Sequence, residues 1–231
     1  MNIQELIAAL VPGRSFADLG GLWGTVNERI TPAVLAGAAS ATMIDEQPAG
    51  NHLWQAFDAH CARLDVSGYA SIEGNLDDPE LPRRVGQFDV LHCSGVIYHC
   101  PDPYHSLRQL RRLTRKHLLL GSMTVPERIA NAAGTLDFTE GRMLALPALK
   151  GGALATMQRH FEDLHIKVHN INVAEPFPWT MPDGTASYAP WWWLFTAETL
   201  AAMAEAVGLR VLDTFDAWPG YAHYLRCEVQ D

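Results

Sequence analysis

Strand-like and helix-like segments alternate along the first half of this 231-residue chain, and this alternation limits the folds open to it. Five short apolar segments have the length and residue types of buried strands, at 15–19, 41–45, 69–75, 88–93 and 117–121. Apolar residues at helical spacing follow most of them. Strands separated by helices pair in parallel, because the crossover helix returns the chain to the same edge of the sheet. The pattern therefore predicts an α/β fold with helices on both faces of a mostly parallel sheet.

The end of the chain continues the alternation and then breaks it. Thr196 is expected to cap a helix that ends at Gly208, and two further strands are expected at 210–215 and 221–229. Their connection through Trp218-Pro219-Gly220 is short enough for an antiparallel hairpin. We therefore predict a seven-stranded sheet with one antiparallel edge strand.

Residues 123–195 form a connection far longer than an ordinary crossover between the fifth strand and the last helix. It contains a helical piece at about 153–164 and an aromatic, proline-rich run from Phe177 to Trp193. A connection of this length in a compact domain is usually functional or builds its own substructure. We expect a single domain over 1–231, in which 123–195 is an inserted substrate-binding or lid segment.

Composition and charge exclude several classes of protein. The formal net charge is −9, which disfavours general binding to nucleic acid. Four scattered cysteines, Cys61, Cys93, Cys100 and Cys227, form no CxxC pair and predict neither a disulfide framework nor a zinc site. No apolar run approaches the roughly 20 residues of a membrane span, and no signal peptide is recognised. A cytoplasmic protein without metal or membrane partner is expected.

Glycines follow the first strand directly, at Gly20, Gly21 and Gly24. Glycines at this point let the backbone turn tightly and approach a ligand, and an acid at the end of the second strand, here Asp45, suits ribose hydroxyls. The spacing departs from the G-x-G-x-x-G of dinucleotide loops and favours a nucleoside cofactor without phosphate. The alternative is a tight strand–helix turn with no ligand.

Three motifs resemble those of class I S-adenosylmethionine-dependent methyltransferases. Asp18-Leu19-Gly20-Gly21-Leu22-Trp23-Gly24 resembles the first motif, and Asp45 matches the ribose-binding acid. Phe88–His99, followed by Pro101-Asp102-Pro103, resembles the strand-four motif, in a variant similar to the branch with tRNA wobble-uridine methyl- and carboxymethyltransferases and related small-molecule enzymes. The resemblance covers 15–122 and, more loosely, 196–229. It implies a Rossmann-like fold, S-adenosylmethionine as cofactor and S-adenosylhomocysteine as product.

The resemblance also implies which residues contact the cofactor. At the position after Gly74, where the family usually has an adenine-contacting acid, this chain has Asn75, whose oxygen can still accept from the adenine amino group. Ser94 and Gly95 are expected beside the methionine part. The complete set of expected cofactor contacts is Asp18, Gly20, Gly21, Gly24, Asp45, Asn75, Leu76, Ser94 and Gly95.

Aromatic and basic residues supply the other candidates. His99, just beyond the fourth strand, is the candidate general base, and the alternative is that it holds its loop by hydrogen bonding to backbone. The expected substrate contacts are Tyr98, Trp179, Tyr188 and Trp192. The tryptophan run either lines a pocket or anchors the insertion.

The histidines of the insertion and a run of basic residues are two further groups that are considered as binding sites. The spacing of His160, His165 and His169 does not match a zinc site. A basic stripe from Arg108 to Lys116, expected on the helix after the fourth strand, is either a solvated face or an RNA contact.

The function expected from these features is methyl transfer to an O or N nucleophile of a small organic molecule, such as a specialised metabolite. One alternative is a tRNA wobble-uridine methyl- or carboxymethyltransferase, supported by the strand-four motif and the basic stripe. Another is a non-catalytic methyltransferase-like domain that binds a partner, although an intact glycine loop and Asp45 count against it.

Overall fold

The computed structural model describes residues 2–173, 175, 178–180, 190–218 and 221–230. The strands are β1 Ser15–Leu19, β2 Ser40–Asp45, β3 Ala70–Glu73, β4 Phe88–Ser94, β5 Thr114–Met123, β6 Arg128–Asn131, β7 Gly134–Asp137, β8 Leu144–Ala145, β9 Trp193–Leu194, β10 Leu209–Trp218 and β11 Ala222–Val229. The helices are α1 Ile3–Leu10, α2 Ile30–Leu35, α3 His52–Arg63, α4 Leu81–Val85, α5 Pro103–Leu113, α6 Gly151–Asp163 and α7 Ala197–Ala206.

Seven strands form the central sheet, in the order β10-β11-β5-β4-β1-β2-β3. The five strands from β5 to β3 pair in parallel, and β11 pairs antiparallel with both β5 and β10. The predicted fold class is confirmed: the sheet is mostly parallel, and its antiparallel contacts lie at one end, with β10 outermost. The strand order reverses between β1 and β4, which is the point where open α/β sheets bind ligands at the carboxyl ends of their strands.

Side chains alternate between the two faces of the sheet. Phe16 and Val90 belong to one apolar cluster with α1, α2 and α3, whereas Ala17 and Leu91 belong to another with α5 and α7. This period of two is what strands buried on both faces require. The apolar runs at 15–19 and 88–93 lie within β1 and β4, as predicted.

The sequence predicts that the segment from the glycine loop to about Ala36 is helical with an interruption at Pro32, and the structure differs from this. A short 3-10 helix, Leu22–Asn27, comes first, and α2 then begins at Ile30. The break falls at Glu28 and Arg29, because the amide of Arg29 donates to the Asp18 carboxylate at 2.7 Å instead of to a helical carbonyl. Pro32 is tolerated in the first turn of α2, where its missing N–H needs no helical partner.

The insertion after β5 forms its own small elements on one face of the sheet. The pairs β6–β7 and β8–β9 are antiparallel, and α6 packs against β6 and β7. Phe138 and Phe161 join the same apolar cluster as α5 and α7. The two ends of the insertion meet, since the Val125 amide donates to the Phe195 carbonyl at 3.0 Å.

Candidate active site

The glycine loop turns at the carboxyl end of β1, as predicted. Gly20 has a φ of +80°, in the left-handed region, and its amide donates to the Ile44 carbonyl at 2.9 Å. A Cβ there would lie 2.5 Å from Val96 Cγ2, and one at Gly21 would lie 2.6 Å from Asp18 Oδ2. Close packing therefore excludes a side chain at both positions, and at Gly20 the left-handed backbone conformation disfavours one as well. Gly24 lies within the 3-10 helix.

Asp45 lies at the end of β2, beside this loop. Its carboxylate is 2% exposed and accepts hydrogen bonds from the amides of Leu22, at 3.2 Å, and Gln47, at 3.1 Å. Burial raises the pKa of Asp45, and the two amides oppose this shift. The carboxylate thus fixes the start of the 3-10 helix while it lies at the edge where a ribose is expected.

Asn75 and Leu76 follow β3 at the same edge. The Asn75 side chain accepts from the Asp77 amide at 2.8 Å and donates to the Glu46 carboxyl at 3.4 Å, and Leu76 is buried. Burial, with smaller contributions from the charges of Asp45 and Asp77, raises the pKa of Glu46 to about 7. Sequence reasoning missed Glu46, although its position directly after Asp45 could have indicated it.

Ser94 is the last residue of β4, and Gly95 follows it. At this point β4, β5 and β11 lie side by side and pack closely. Gly95 has a φ of +79°, and its amide donates to the Gly121 carbonyl at 3.1 Å. Ser94, Gly121 and Tyr224 are aligned across β4, β5 and β11. A Cβ on Gly121 would lie 2.3 Å from Ser94 Oγ and 2.7 Å from the Tyr224 ring. Only glycine at this position lets the Tyr224 ring lie across β5.

Asp18 is buried within a chain of hydrogen bonds. Its Oδ1 accepts from His92 Nδ1 at 2.7 Å, and its Oδ2 accepts from the Arg29 amide. His92 Nε2 lies 3.0 Å from the Tyr224 hydroxyl. Sequence reasoning missed these three partners, although His92 lies within the strand-four motif, two residues before Ser94.

His99 contacts the insertion directly. Its Nδ1 donates to the Pro190 carbonyl at 3.1 Å, so that Nε2 is left as the acceptor nitrogen, with no hydrogen-bond partner among the described residues. Burial lowers the pKa of His99 to about 4, and the imidazole is therefore neutral at pH 7. The loop-holding role considered from the sequence is present, and it leaves one nitrogen available for chemistry.

Tyr98 and the tryptophan run pack together beside His99. The Tyr98 ring lies 4.7 Å from the Trp191 ring, and the Trp192 amide donates to the Tyr98 carbonyl at 2.8 Å. Trp179 and Trp192 pack edge to face at 4.8 Å. Trp193 Nε1 donates to the Pro101 carbonyl, whereas Trp192 Nε1 is buried without a partner in the described part of the chain. The expected contact Tyr188 lies outside the described residues.

The basic stripe lies away from this edge. The prediction that it lies on one helix is wrong, because α5 ends at Leu113 and Lys116 is in β5. Arg111 donates to the carbonyls of Gly208 and Gln230, and Arg115 pairs with Asp89 at 2.8 Å. Since α5 starts at the carboxyl end of β4 and runs back along the sheet, these arginines lie at the opposite edge.

Among the described residues, no group of three or more His, Cys, Asp or Glu side chains is arranged to hold a metal ion. None of the described helices combines the length and apolar character that a membrane crossing requires.

Comparison with known proteins gives a fold and no sequence relative. No protein-family model matches the chain, and no curated protein matches it either. Among solved structures, magnesium protoporphyrin IX methyltransferase from Synechocystis PCC 6803 with bound S-adenosylhomocysteine is 14% identical, with a TM-score of 0.55 over 98% of this chain and 83% of that one.

Two further structures give the same result. The Burkholderia thailandensis 1,6-didemethyltoxoflavin-N1-methyltransferase, with substrate and S-adenosylhomocysteine bound, is 13% identical, with a TM-score of 0.55 over 99% of this chain and 78% of that one. A methyltransferase from Aquifex aeolicus is 12% identical, with a TM-score of 0.53 over 98% and 89%. At such identities the likeness establishes architecture. The chain has the fold of the class I S-adenosylmethionine-dependent methyltransferases.

Proposed function

We propose that this chain is an S-adenosylmethionine-dependent methyltransferase whose acceptor is an O or N nucleophile of a small organic molecule. The observation that carries the proposal is the convergence of Gly20, Asp45, Asn75 and Gly95 at the carboxyl edge of the sheet, where its strand order reverses. Solved neighbours with this fold hold S-adenosylmethionine or S-adenosylhomocysteine, which supports the choice of cofactor.

The residues at this edge fit the two ends of that cofactor. Asp45, Asn75 and Leu76 offer a carboxylate, an amide and an apolar contact for the ribose and adenine, and Glu46 adds a second carboxyl. Ser94 and Gly95 would lie beside the methionine end. When bound, the cofactor supplies an electrophilic methyl group on a sulfonium. The protein contributes by holding the acceptor in line with that group, which removes much of the entropic barrier.

We assign the acceptor site to the contact between the insertion 123–195 and the loop after β4. Tyr98, Trp179 and Trp192 provide aromatic surface there, and the buried Trp192 Nε1 is a hydrogen-bond donor without a described partner. Enclosed apolar sites with a few polar groups are typical of small-molecule ligands. Buried donors are normally paired, so this N–H favours an acceptor molecule that carries an oxygen or a nitrogen lone pair.

His99 is the proposed general base at this site. Its Nδ1 is fixed by the Pro190 carbonyl, and Nε2 is the nitrogen that can take a proton from an acceptor hydroxyl or amine. Its low pKa makes it a weak base, which accepts the proton as the attacking atom gains positive charge. The neutral ring also avoids placing a second cation beside the sulfonium.

The position of the arginines argues against the tRNA alternative. A tRNA substrate must be held through phosphates by free cationic groups near the reacting atoms. Arg111 and Arg115 already bind carbonyls and a carboxylate at the far edge of the sheet. A small acceptor requires no such track.

Binding and transfer assays test the proposal in two steps. Calorimetry with S-adenosylhomocysteine should show saturable one-to-one binding, and absence of binding would contradict the proposal. Methyl-labelled S-adenosylmethionine is then offered with a low-molecular-weight cell extract or with a total tRNA pool. Label in the small-molecule fraction supports the assigned acceptor class, label in tRNA supports the alternative, and binding without transfer to either supports a non-catalytic domain.

A further inference from the structure

Arg29 is a partly buried cation without a described counterion. Its Nε is inaccessible to solvent and has no hydrogen-bond acceptor among the described residues, and none of the ion pairs found there involves its guanidinium. A buried guanidinium donor without an acceptor is costly, so the group indicates an anionic ligand.

Asp18 fixes Arg29 at two points. One carboxylate oxygen accepts from the Arg29 amide at 2.7 Å, which sets the main chain. The other oxygen accepts from His92 Nδ1, and His92 Nε2 lies within hydrogen-bond distance of the Tyr224 hydroxyl. The Arg29 guanidinium and the Ser94 hydroxyl lie beside the same Tyr224 hydroxyl. The chain of hydrogen bonds from Asp18 thus returns to the side chain of Arg29.

This arrangement places the cation at the end of the site assigned to the amino-acid part of the cofactor. Tyr224 is level with Ser94 at the end of β4, across the gap left by Gly121. Arg29 itself follows the 3-10 helix of the glycine loop. The guanidinium is therefore near the carboxyl ends of β1 and β4. Asp45 and Asn75 lie further along the same edge of the sheet, towards β3.

We propose that Arg29 binds the carboxylate of the amino-acid end of S-adenosylmethionine, with Asp18, His92 and Tyr224 as positioning residues. This inference rests on the proposed function. The Nε–H and an adjacent Nη–H of arginine form a fork that pairs with both oxygens of a carboxylate. Asp18 is 1% exposed, and its two oxygens accept from the Arg29 amide and from His92, so its part in this arrangement is to position Arg29.

The test compares ligands that share the adenosine and differ at the other end. S-adenosylhomocysteine carries the amino-acid group, and 5′-methylthioadenosine lacks it. Calorimetry should show that Arg29→Gln loses affinity for S-adenosylhomocysteine by about 10- to 100-fold, the range for a charge-assisted pair, and keeps its affinity for methylthioadenosine. Arg226→Gln is the matched control, because Arg226 also has a buried, unpaired Nε but lies two residues below Tyr224 on β11. It should bind both ligands normally.

A second variant tests the positioning role. Tyr224→Phe keeps the ring and removes the hydroxyl, and it should weaken S-adenosylhomocysteine binding by a smaller factor without affecting methylthioadenosine. The double variant with Arg29→Gln should be no weaker than Arg29→Gln alone, because the hydroxyl acts through the arginine. A general structural defect would instead lower affinity for both ligands.

Three results would overturn the inference. Arg29→Gln could bind S-adenosylhomocysteine as tightly as the parent, it could lose both ligands equally, or the Tyr224 and Arg29 effects could add in full. If the parent protein binds neither ligand, the proposed function itself fails. Binding of both ligands by the parent, with no selective effect of Arg29→Gln, removes the inference and leaves the proposed function intact.

Discussion

The main-chain nitrogen of Trp192 donates to the carbonyl oxygen of Tyr98 at 2.8 Å, and this bond joins the insertion to the loop after β4. The next residue, Trp193, adds a second link through its indole and the Pro101 carbonyl at 3.1 Å. These two bonds hold the backbone that carries the Trp192 indole, while the indole Nε1–H has no partner among the described residues. The tryptophan run therefore combines anchoring residues with one that is free to bind a ligand.

Trp192→Phe should abolish or strongly reduce methyl transfer and leave S-adenosylhomocysteine affinity unchanged, because it removes a donor from the proposed acceptor site alone. The labelled-transfer assay and calorimetry measure the two effects. Trp193→Phe is the control: loss of its bond to Pro101 should lower the free energy of unfolding by about 0.5–1.5 kcal/mol, the usual net value of a hydrogen bond. Full transfer activity in Trp192→Phe would contradict the acceptor-site assignment.

Asp45→Ala should weaken S-adenosylhomocysteine binding by about 1–3 kcal/mol through loss of charge-assisted hydrogen bonds to the ribose. Asp45→Asn keeps an oxygen that can accept from the Leu22 amide, and it should preserve the loop better while still losing affinity. Calorimetry gives the affinities and thermal unfolding reports on the loop. Unchanged affinity in both variants would exclude Asp45 as a ribose ligand.

Glu46→Gln should stabilise the protein progressively as pH rises from about 5 to about 7, relative to the parent. The folded pKa of Glu46 is raised from 4.5 to about 7, chiefly by burial, so the folded state favours the protonated carboxyl. That contribution is present below pH 4.5 and is lost as pH rises through 7, whereas glutamine has no charge to bury. Urea unfolding at several pH values measures the difference, with exposed Glu162→Gln as the control. A difference in unfolding free energy that does not change with pH would contradict the raised pKa of Glu46.

Asp89→Asn should destabilise the protein at neutral pH by about 1–3 kcal/mol, because a hydrogen-bonded carboxylate is lost. Partial burial opposes ionisation of Asp89, but hydrogen bonds from Ser15 and Arg115 outweigh it and hold the pKa at about 2. The stabilisation is present above pH 3.8 and is lost as pH falls through 2. Denaturant unfolding at pH 7 and pH 3 should show the gap between variant and parent narrowing in acid; a gap that widens would show that another group is responsible.

The sequence was a good guide where local pattern decides structure. The apolar runs that became β1, β2, β4 and β5 each lie within a strand, and the glycines at Gly20 and Gly21 lie at the turn predicted for them. The strands β6 to β9 were not predicted, because segments of two to four residues carry too little periodicity. Hydrogen-bond partners that the register of several strands brings together could not be predicted from the sequence either.

The chain from Asp18 through His92 to Tyr224 shows this most clearly. It joins β1, β4 and β11, and the last two residues are 132 positions apart in sequence. Its formation depends on Gly121, a strand glycine that reads in the sequence only as a weak strand former. No single-sequence pattern specifies that a tyrosine will cross a neighbouring strand at that residue.

The meeting of the insertion's two ends, at Val125 and Phe195, has an evolutionary consequence. Because the two ends of the segment lie side by side, a change in the length of the chain between them need not move the strands that precede and follow it. Under the proposed function, related chains can then differ in acceptor through changes within this segment while the edge formed by β1 to β4 stays the same. Divergence in acceptor choice should then be concentrated in one continuous stretch of the gene.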